Sequence, residues 1–300
     1  PIRVVAESPT NIWTKTFTYG GNYDMPTDLL VHKGDIFVNG HYEKDSGSSF
    51  LIGGATVSFS PNGDMRWKLL DSNVNASMSN SMAVIGESFV VVYGNVMIKR
   101  LPNGDIAWRN VIGSPYLFIT SYRDTIIAIE QGKNSRALFI DGDGNVARTF
   151  PIAERAIGQI TPVVKGNYLW VSAHYYGGNP MDGFISKFYI PTGELIWRKN
   201  FPKSIRGYMD VDNLGNCYYA ASCSQPDGML KLLRVKLDTT GAEIWHHEWY
   251  LRDTQETNYE NWVNGVSVCG NKNIFVVGGT TQKGSVNTGD KSAYFCGFNA

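Results

Sequence analysis

One phrase recurs down this chain, and its spacing leaves few folds open. It reads Pro61-Asn62-Gly63-Asp64-Met65-Arg66-Trp67, then Pro102-Asn103-Gly104-Asp105-Ile106-Ala107-Trp108. It returns as Pro191-Thr192-Gly193-Glu194-Leu195-Ile196-Trp197 and as Thr239-Thr240-Gly241-Ala242-Glu243-Ile244-Trp245. A degenerate copy, Asp143-Gly144-Asn145-Val146-Ala147-Arg148, has Arg148 where the others have tryptophan. Each copy follows a short apolar stretch. Asn-Gly, Asp-Gly or Thr-Gly supplies the positive φ of a tight hairpin turn. The residues after the glycine alternate and end on a large aromatic that can wedge between neighbouring sheets. The anchors at 67, 108, 148, 197 and 245 are separated by 41, 40, 49 and 48 residues. Roughly 40–50 residues is one four-stranded propeller blade, whereas leucine-rich, ankyrin and tetratricopeptide repeats are shorter.

A sixth anchor, Trp13, lies at the start without three strands of its own blade before it. Three such strands stand at the other end, at Val263–Cys269, Asn273–Thr280 and Ser292–Asn299. The spacing therefore predicts an all-β chain, a six-bladed β-propeller of four-stranded antiparallel blades. Residues 11–19 are expected to be the outer strand of the last blade, so that the N-terminal strand closes the ring and removes two open edges. The blades fall at about 20–72, 73–113, 114–155, 156–203, 204–252 and 253–300 plus 1–19, as one domain over residues 1–300.

The Thr-Gly-x-x-x-Trp phrase, clearest in Asp238–Trp245, resembles the tryptophan-docking repeat of the pyrroloquinoline-quinone-like propellers. The resemblance covers nearly the whole chain as a repeating unit and implies architecture rather than activity. The quinone enzymes of that superfamily have eight blades and a calcium-linked cofactor, often beside a disulfide between adjacent cysteines. This chain has six anchors and no adjacent cysteines, so no cofactor and no cofactor residue is carried over. A sialidase-type turn fails on spacing, since it places glycine three residues before tryptophan and here the interval is four.

Charge and cysteine content narrow the function classes. Lys plus Arg and Asp plus Glu number 27 each. A neutral chain has no global field to gather phosphates, which argues against nucleic acid as partner. No apolar run approaches the ~18 residues of a membrane span, and Pro1–Glu7 lacks the apolar core of a signal peptide. Insertion into a membrane is not expected, and the compartment stays open. Cys217 and Cys223 fall in one strand, about 20 Å apart at ~3.3 Å per residue, too far to bond each other. With Cys269 and Cys296 they read as free thiols, and no cysteine pair has zinc spacing.

Function is expected at the ends of the blades. Turns between first and second strands are short, as at His32–Asp35 and Ile85–Glu87, and the glycine turns lie at the same end. Long connections collect at the other end: Tyr19–Pro26, His41–Phe50, Asn73–Ser81, Tyr175–Asp182, Ser224–Gly228, Asp253–Trp262 and Thr281–Lys291. Long loops on a rigid scaffold are where binding resides. They carry the candidate binding residues Tyr23, Asp24, His41, Tyr42, His174, Tyr175, Tyr176, Tyr259, Asn261 and Trp262. Tyr and Trp beside Asn and Gly suit protein recognition and also sugar stacking.

Other constellations read as structure. His246 and His247 are adjacent on a strand and point to opposite faces. Asp141-Gly142-Asp143-Gly144-Asn145 looks calcium-like but has Ile152 where a calcium loop needs glutamate, so it reads as the hairpin turn of the third blade. No nucleophile motif, phosphate loop or metal set is evident. The leading expectation is a non-enzymatic recognition or scaffold module that binds a protein partner through the long-loop face. A glycan-binding propeller is the first alternative, and a hydrolase or lyase with an axial site is the second.

Overall fold

A computed structural model of the chain describes residues 2–7, 12–20, 23–45, 50–72, 74, 80–113, 117–154, 157–175, 182–224, 230–249, 259–269, 273–282 and 292–299. Among them all regular structure is strand. The chain divides into two compact units, Pro1–Ile152 and Ala153–Ala300.

The first unit opens with the hairpin β1 (Ile2–Glu7) and β2 (Ile12–Phe17). Three four-stranded antiparallel sheets follow, with their strands in chain order. The first is β3 (Tyr23–His32), β4 (Asp35–Asp45), β5 (Phe50–Phe59) and β6 (Met65–Asp71). The second is β7 (Asn80–Ile85), β8 (Ser88–Tyr93), β9 (Val96–Arg100) and β10 (Ile106–Val111). The third is β11 (Leu117–Tyr122), β12 (Thr125–Glu130), β13 (Ser135–Ile140) and β14 (Val146–Ala153).

The second unit continues the pattern. Its fourth sheet is β15 (Ile157–Lys165), β16 (Tyr168–Tyr175), β17 (Gly183–Tyr189) and β18 (Glu194–Phe201). The fifth is β19 (Ser204–Val211), β20 (Cys217–Ser224), β21 (Leu230–Leu237) and β22 (Glu243–Trp249). The sixth has three strands, β23 (Tyr259–Cys269), β24 (Asn273–Gln282) and β25 (Ser292–Asn299).

The described partner of β2 is β1, with pairs from Ile2↔Phe17 to Glu7↔Ile12. β1 escaped notice in the sequence, although Val4-Val5 followed by Ser8-Pro9-Thr10-Asn11 has hairpin composition. One expectation needs correction: the outer strands do not alternate regularly up to the tryptophan. Arg66, Ala107, Ile196 and Ile244 each fall at a register shift, so that Trp67, Trp108, Trp197 and Trp245 pair with Ser58, Lys99, Lys187 and Lys236. A bulge adds one residue and re-aims the side chain that follows it.

That re-aiming docks three of the indoles on the next sheet. Trp67 Nε1 donates to Pro102 O at 3.1 Å, Trp108 Nε1 to Gly142 O at 2.8 Å, and Trp197 Nε1 to Thr239 O at 3.1 Å. In every case the acceptor lies two residues before the next turn glycine. Those glycines have positive φ, as at Gly104 (94°) and Gly241 (85°). Gly241 has a second reason to lack a side chain, because a Cβ there would sit 2.8 Å from the Trp197 ring.

Sheets packed on both faces need apolar residues at consecutive positions. Within the first unit, Phe89, Val91 and Tyr93 of β8 face the first sheet, while Val90 and Val92 face the third. Within the second, Trp170, Tyr219 and Val235 fill the seam between the fourth and fifth sheets. Tyr218, Leu232, Ile274 and Val276 fill the seam between the fifth and sixth. Phe17 and Tyr19 cover the other face of the first sheet, against Ile36, Val38 and Phe59.

Candidate functional site

In the first, fourth and fifth sheets the turns between first and second strands and between third and fourth strands are short and the connections at the other end are longer, whereas in the second sheet the β8–β9 turn at that other end is only Gly94-Asn95. The candidate residues lie near the end of the longer connections, but several are strand residues rather than loop residues. In the first sheet the β4–β5 ladder runs on to Asp45↔Phe50, so His41 and Tyr42, expected in a loop, are buried on β4. Continued pairing is possible because Gly53 and Gly54 leave room for rings. A Cβ on Gly53 would meet the Tyr42 ring at 2.5 Å, and one on Gly54 would meet the Tyr93 ring at 2.5 Å. Burial lowers the pKa of His41, which favours the neutral imidazole, and raises that of Tyr42, with Asp71 adding to the rise.

Asp24 pairs across the ladder with Tyr42, so these two candidates are brought together. The Asp24 carboxylate accepts from Thr18 Oγ1 and, at 3.1 Å, from Tyr19 N–H, which ties the entry segment to β3. Beneath them lies a polar group that the sequence did not reveal. Thr56 Oγ1 and Tyr93 OH are 2.6 Å apart, and Thr56 Oγ1 lies 3.3 Å from Asn39 Oδ1. Beside Tyr93, Arg100 Nη2 donates to both Asp71 oxygens at 2.7 Å and Arg100 Nη1 donates to Gly104 O at 2.8 Å. Both terminal nitrogens of this buried arginine are paired, which offsets part of its desolvation, while its Nε has no hydrogen-bond partner among the described residues. No local pattern could have joined Arg100 to Asp71, which lies 29 residues earlier and on another sheet.

In the fourth sheet His174 is buried on β16 between Gly158 and Gly183 of the neighbouring strands. Tyr175 is half-buried, stacked on Phe184 at 4.8 Å, and receives Arg198 Nη1 at 3.3 Å. Tyr176 lies outside the described residues. Tyr23 stands on β3, and Tyr259, Asn261 and Trp262 stand on β23, with their side chains outside the description. The sites in the first and fourth sheets belong to different units, and each stands by itself.

The remaining chemistry is modest. Among the described carboxyls Asp28 alone has its pKa raised, pushed up to about 6 by burial, and its oxygens accept Met82 N–H at 2.6 Å and Leu29 N–H at 2.8 Å. Among the described residues no three His, Cys, Asp or Glu side chains could hold a metal. Asp141 accepts the Asp143 and Asn145 N–H groups of its own turn, and these bonds hold its carboxyl below the usual range. Cys217 and Cys223 are buried free thiols, with Cys223 pushed up to about 12. Exposed apolar side chains occur at both ends. Met25, Leu70 and Val111 stand near the long connections, and Met65, Leu101, Ile106, Val146 and Leu214 stand near the tight turns.

The chain matches no protein-family model and no curated protein. Solved structures do match. The hydrazine synthase of Kuenenia stuttgartiensis aligns with a TM-score of 0.63 at 10% identity, over 90% of this chain and 81% of its own. The WD40 domain of Neurospora crassa Pan2 aligns with a TM-score of 0.53 at 10% identity, over 92% and 89%. Both are β-propellers. At such identity the likeness is one of fold, and it agrees with five four-stranded antiparallel sheets joined by tight turns.

Proposed function

We propose that this chain is a single six-bladed propeller of the pyrroloquinoline-quinone-like kind that serves as a non-enzymatic recognition module. It binds a protein partner through the end that carries the long connections, as part of a larger assembly. In this reading β2, which the described pairing bonds on one edge only, completes the last blade and closes the ring. The observation that carries the recognition reading is the asymmetry of the first sheet: tight turns at one end, and at the other the β4–β5 hairpin, whose ladder runs four residues past His41. Rigid hairpins with polar tips and flanking apolar residues are suited to protein contact. Val111, 69% exposed, and Met25 and Leu70 supply apolar surface near that end in the first unit.

A second reading places the partner on the opposite end. It is favoured by the exposed Ile106, Val146 and Leu214 beside the tight turns, the last being 65% exposed. Cross-linking in native extract, followed by mass spectrometry, separates the two, with Lys44 reporting on the long-connection end and Lys33 on the turn end. Met25→Asp, Leu70→Asp and Val111→Asp should abolish the cross-link at Lys44, while Ile106→Asp, Val146→Asp and Leu214→Asp leave it unchanged. The reverse pattern would move the site to the turns. Saturable binding on a glycan array without protein cross-links would establish the lectin alternative instead.

A further inference from the structure

Lys99, Lys187 and Lys236 all lie across the ladder from an anchor tryptophan, and for the first two, one in each unit, the turn they reach is among the described residues. Lys99 on β9 lies across the ladder from Trp108, and Lys187 on β17 lies across from Trp197. Each sends its ammonium to the carbonyl that the indole already uses. Lys99 Nζ donates to Gly142 O at 2.9 Å, beside Trp108 Nε1 at 2.8 Å. Lys187 Nζ donates to Thr239 O at 2.9 Å, beside Trp197 Nε1 at 3.1 Å. A carbonyl oxygen has two lone pairs. Both are engaged here, by two donors from the preceding sheet.

Placing a lysine there has a cost. Lys187 is only 7% exposed, and burial pushes its pKa down. The ammonium is held over the Tyr168 and Trp170 rings, 4.4 and 4.9 Å from their centroids, and near the charge of Asp238. Asp238 in turn organises the clasped turn, accepting Thr240 N–H at 2.8 Å and Ala242 N–H at 3.0 Å. A buried cation persists where such partners offset its desolvation.

We infer that Lys99 and Lys187 are the second prong of a two-point clamp that fixes each turn against the sheet before it. One donor leaves the turn free to pivot about a single bond, and two donors from different strands do not. The junction of the first and second sheets shows the contrast. Ser58 stands across from Trp67, and the indole is packed by Phe37 and Phe89 at 5.8 and 6.2 Å, with one N–H on Pro102 O. The clamp is independent of the recognition reading, and it locks the turn end of the sheets in either case.

Lys187→Met keeps an unbranched apolar side chain over the rings and removes the ammonium. Trp197→Phe keeps a ring against Gly241 and removes the indole N–H. Native-state hydrogen exchange at the Thr240 and Ala242 amides reads the turn directly. Each single change should speed those amides by roughly fivefold, the loss of about one net hydrogen bond, while the strand amides of β20 keep their rates. The double variant should fall short of the product of the two effects, since the prongs act on one oxygen. Lys99→Met should do the same at Asp143 and Asn145, and it carries the test if Lys187→Met does not fold. Unchanged turn amides, equal acceleration in turn and core, or strict multiplicativity in the double variant would each overturn the clamp.

Discussion

Gly241→Ala should be strongly destabilising, because it adds two separate costs. The first is conformational. Gly241 has φ of 85°, and an L-residue held in the left-handed region loses roughly 1–2 kcal/mol. The second is contact. The new Cβ would lie 2.8, 3.0 and 3.1 Å from three atoms of the Trp197 ring. That ring is held by the Nε1 bond to Thr239 O, so it cannot retreat without stretching a bond worth about 1 kcal/mol. Overpacking of this kind typically adds 1–3 kcal/mol. The total comes to ~2–5 kcal/mol. Gly166→Ala isolates the first cost, since Gly166 also has positive φ (57°) but a Cβ there meets nothing within 4 Å. It should lose about 1–2 kcal/mol. Urea unfolding of the two variants beside the parent gives the difference. Equal losses at Gly241 and Gly166 would show that the indole does not bear on the turn, and the docking geometry would be refuted.

The anchors should rank by chemistry. Trp108→Ala should cost about 3 kcal/mol, whereas Arg148→Ala, which removes an exposed guanidinium 4.2 Å over the Phe139 ring, should cost ~1 kcal/mol or less; equal losses in thermal melts would contradict this. If β2 closes the last blade, Trp13→Ala should match Trp108→Ala, and a negligible loss would exclude closure by that strand. Asp28 should make stability pH-dependent in an unusual direction. Its folded pKa of about 6 lies above its ordinary 3.8, so between those values the native state holds a proton that the unfolded chain has lost. Its contribution is therefore present at low pH and lost as pH rises toward 6. Asp28→Asn should remove roughly 1–3 kcal/mol of that slope, and parallel melting profiles from pH 4 to 7 for the two proteins would rule it out.

Much of the fold was legible because its determinants are local. A turn glycine must adopt positive φ wherever the sheet lies, so Gly63, Gly104, Gly144, Gly193 and Gly241 marked the turns correctly. The short first-to-second turns were legible for the same reason, as was the placement of Cys217 and Cys223 on one strand. The candidate site was read less well. His41, Tyr42 and His174 were expected in loops because no local signal says where a ladder ends. Its length depends on whether the partner strand can continue, and Gly53 and Gly54 allowed it.

The sequence by itself determined the repeat, the turns and the apolar runs of strands covered on both faces, all of which follow from spacing and backbone chemistry within a few residues. Only the tertiary structure decided what each anchor touches. The one-residue bulge before the tryptophans aims their rings at the next sheet, and the turn carbonyl shared by Lys187 and Trp197 and the pairing of Arg100 with Asp71 join residues on different sheets. Such bonds are selected by the free energy of the packed seam, where a donor without an acceptor is costly. That cost does not exist until two sheets meet, so no window of sequence contains it.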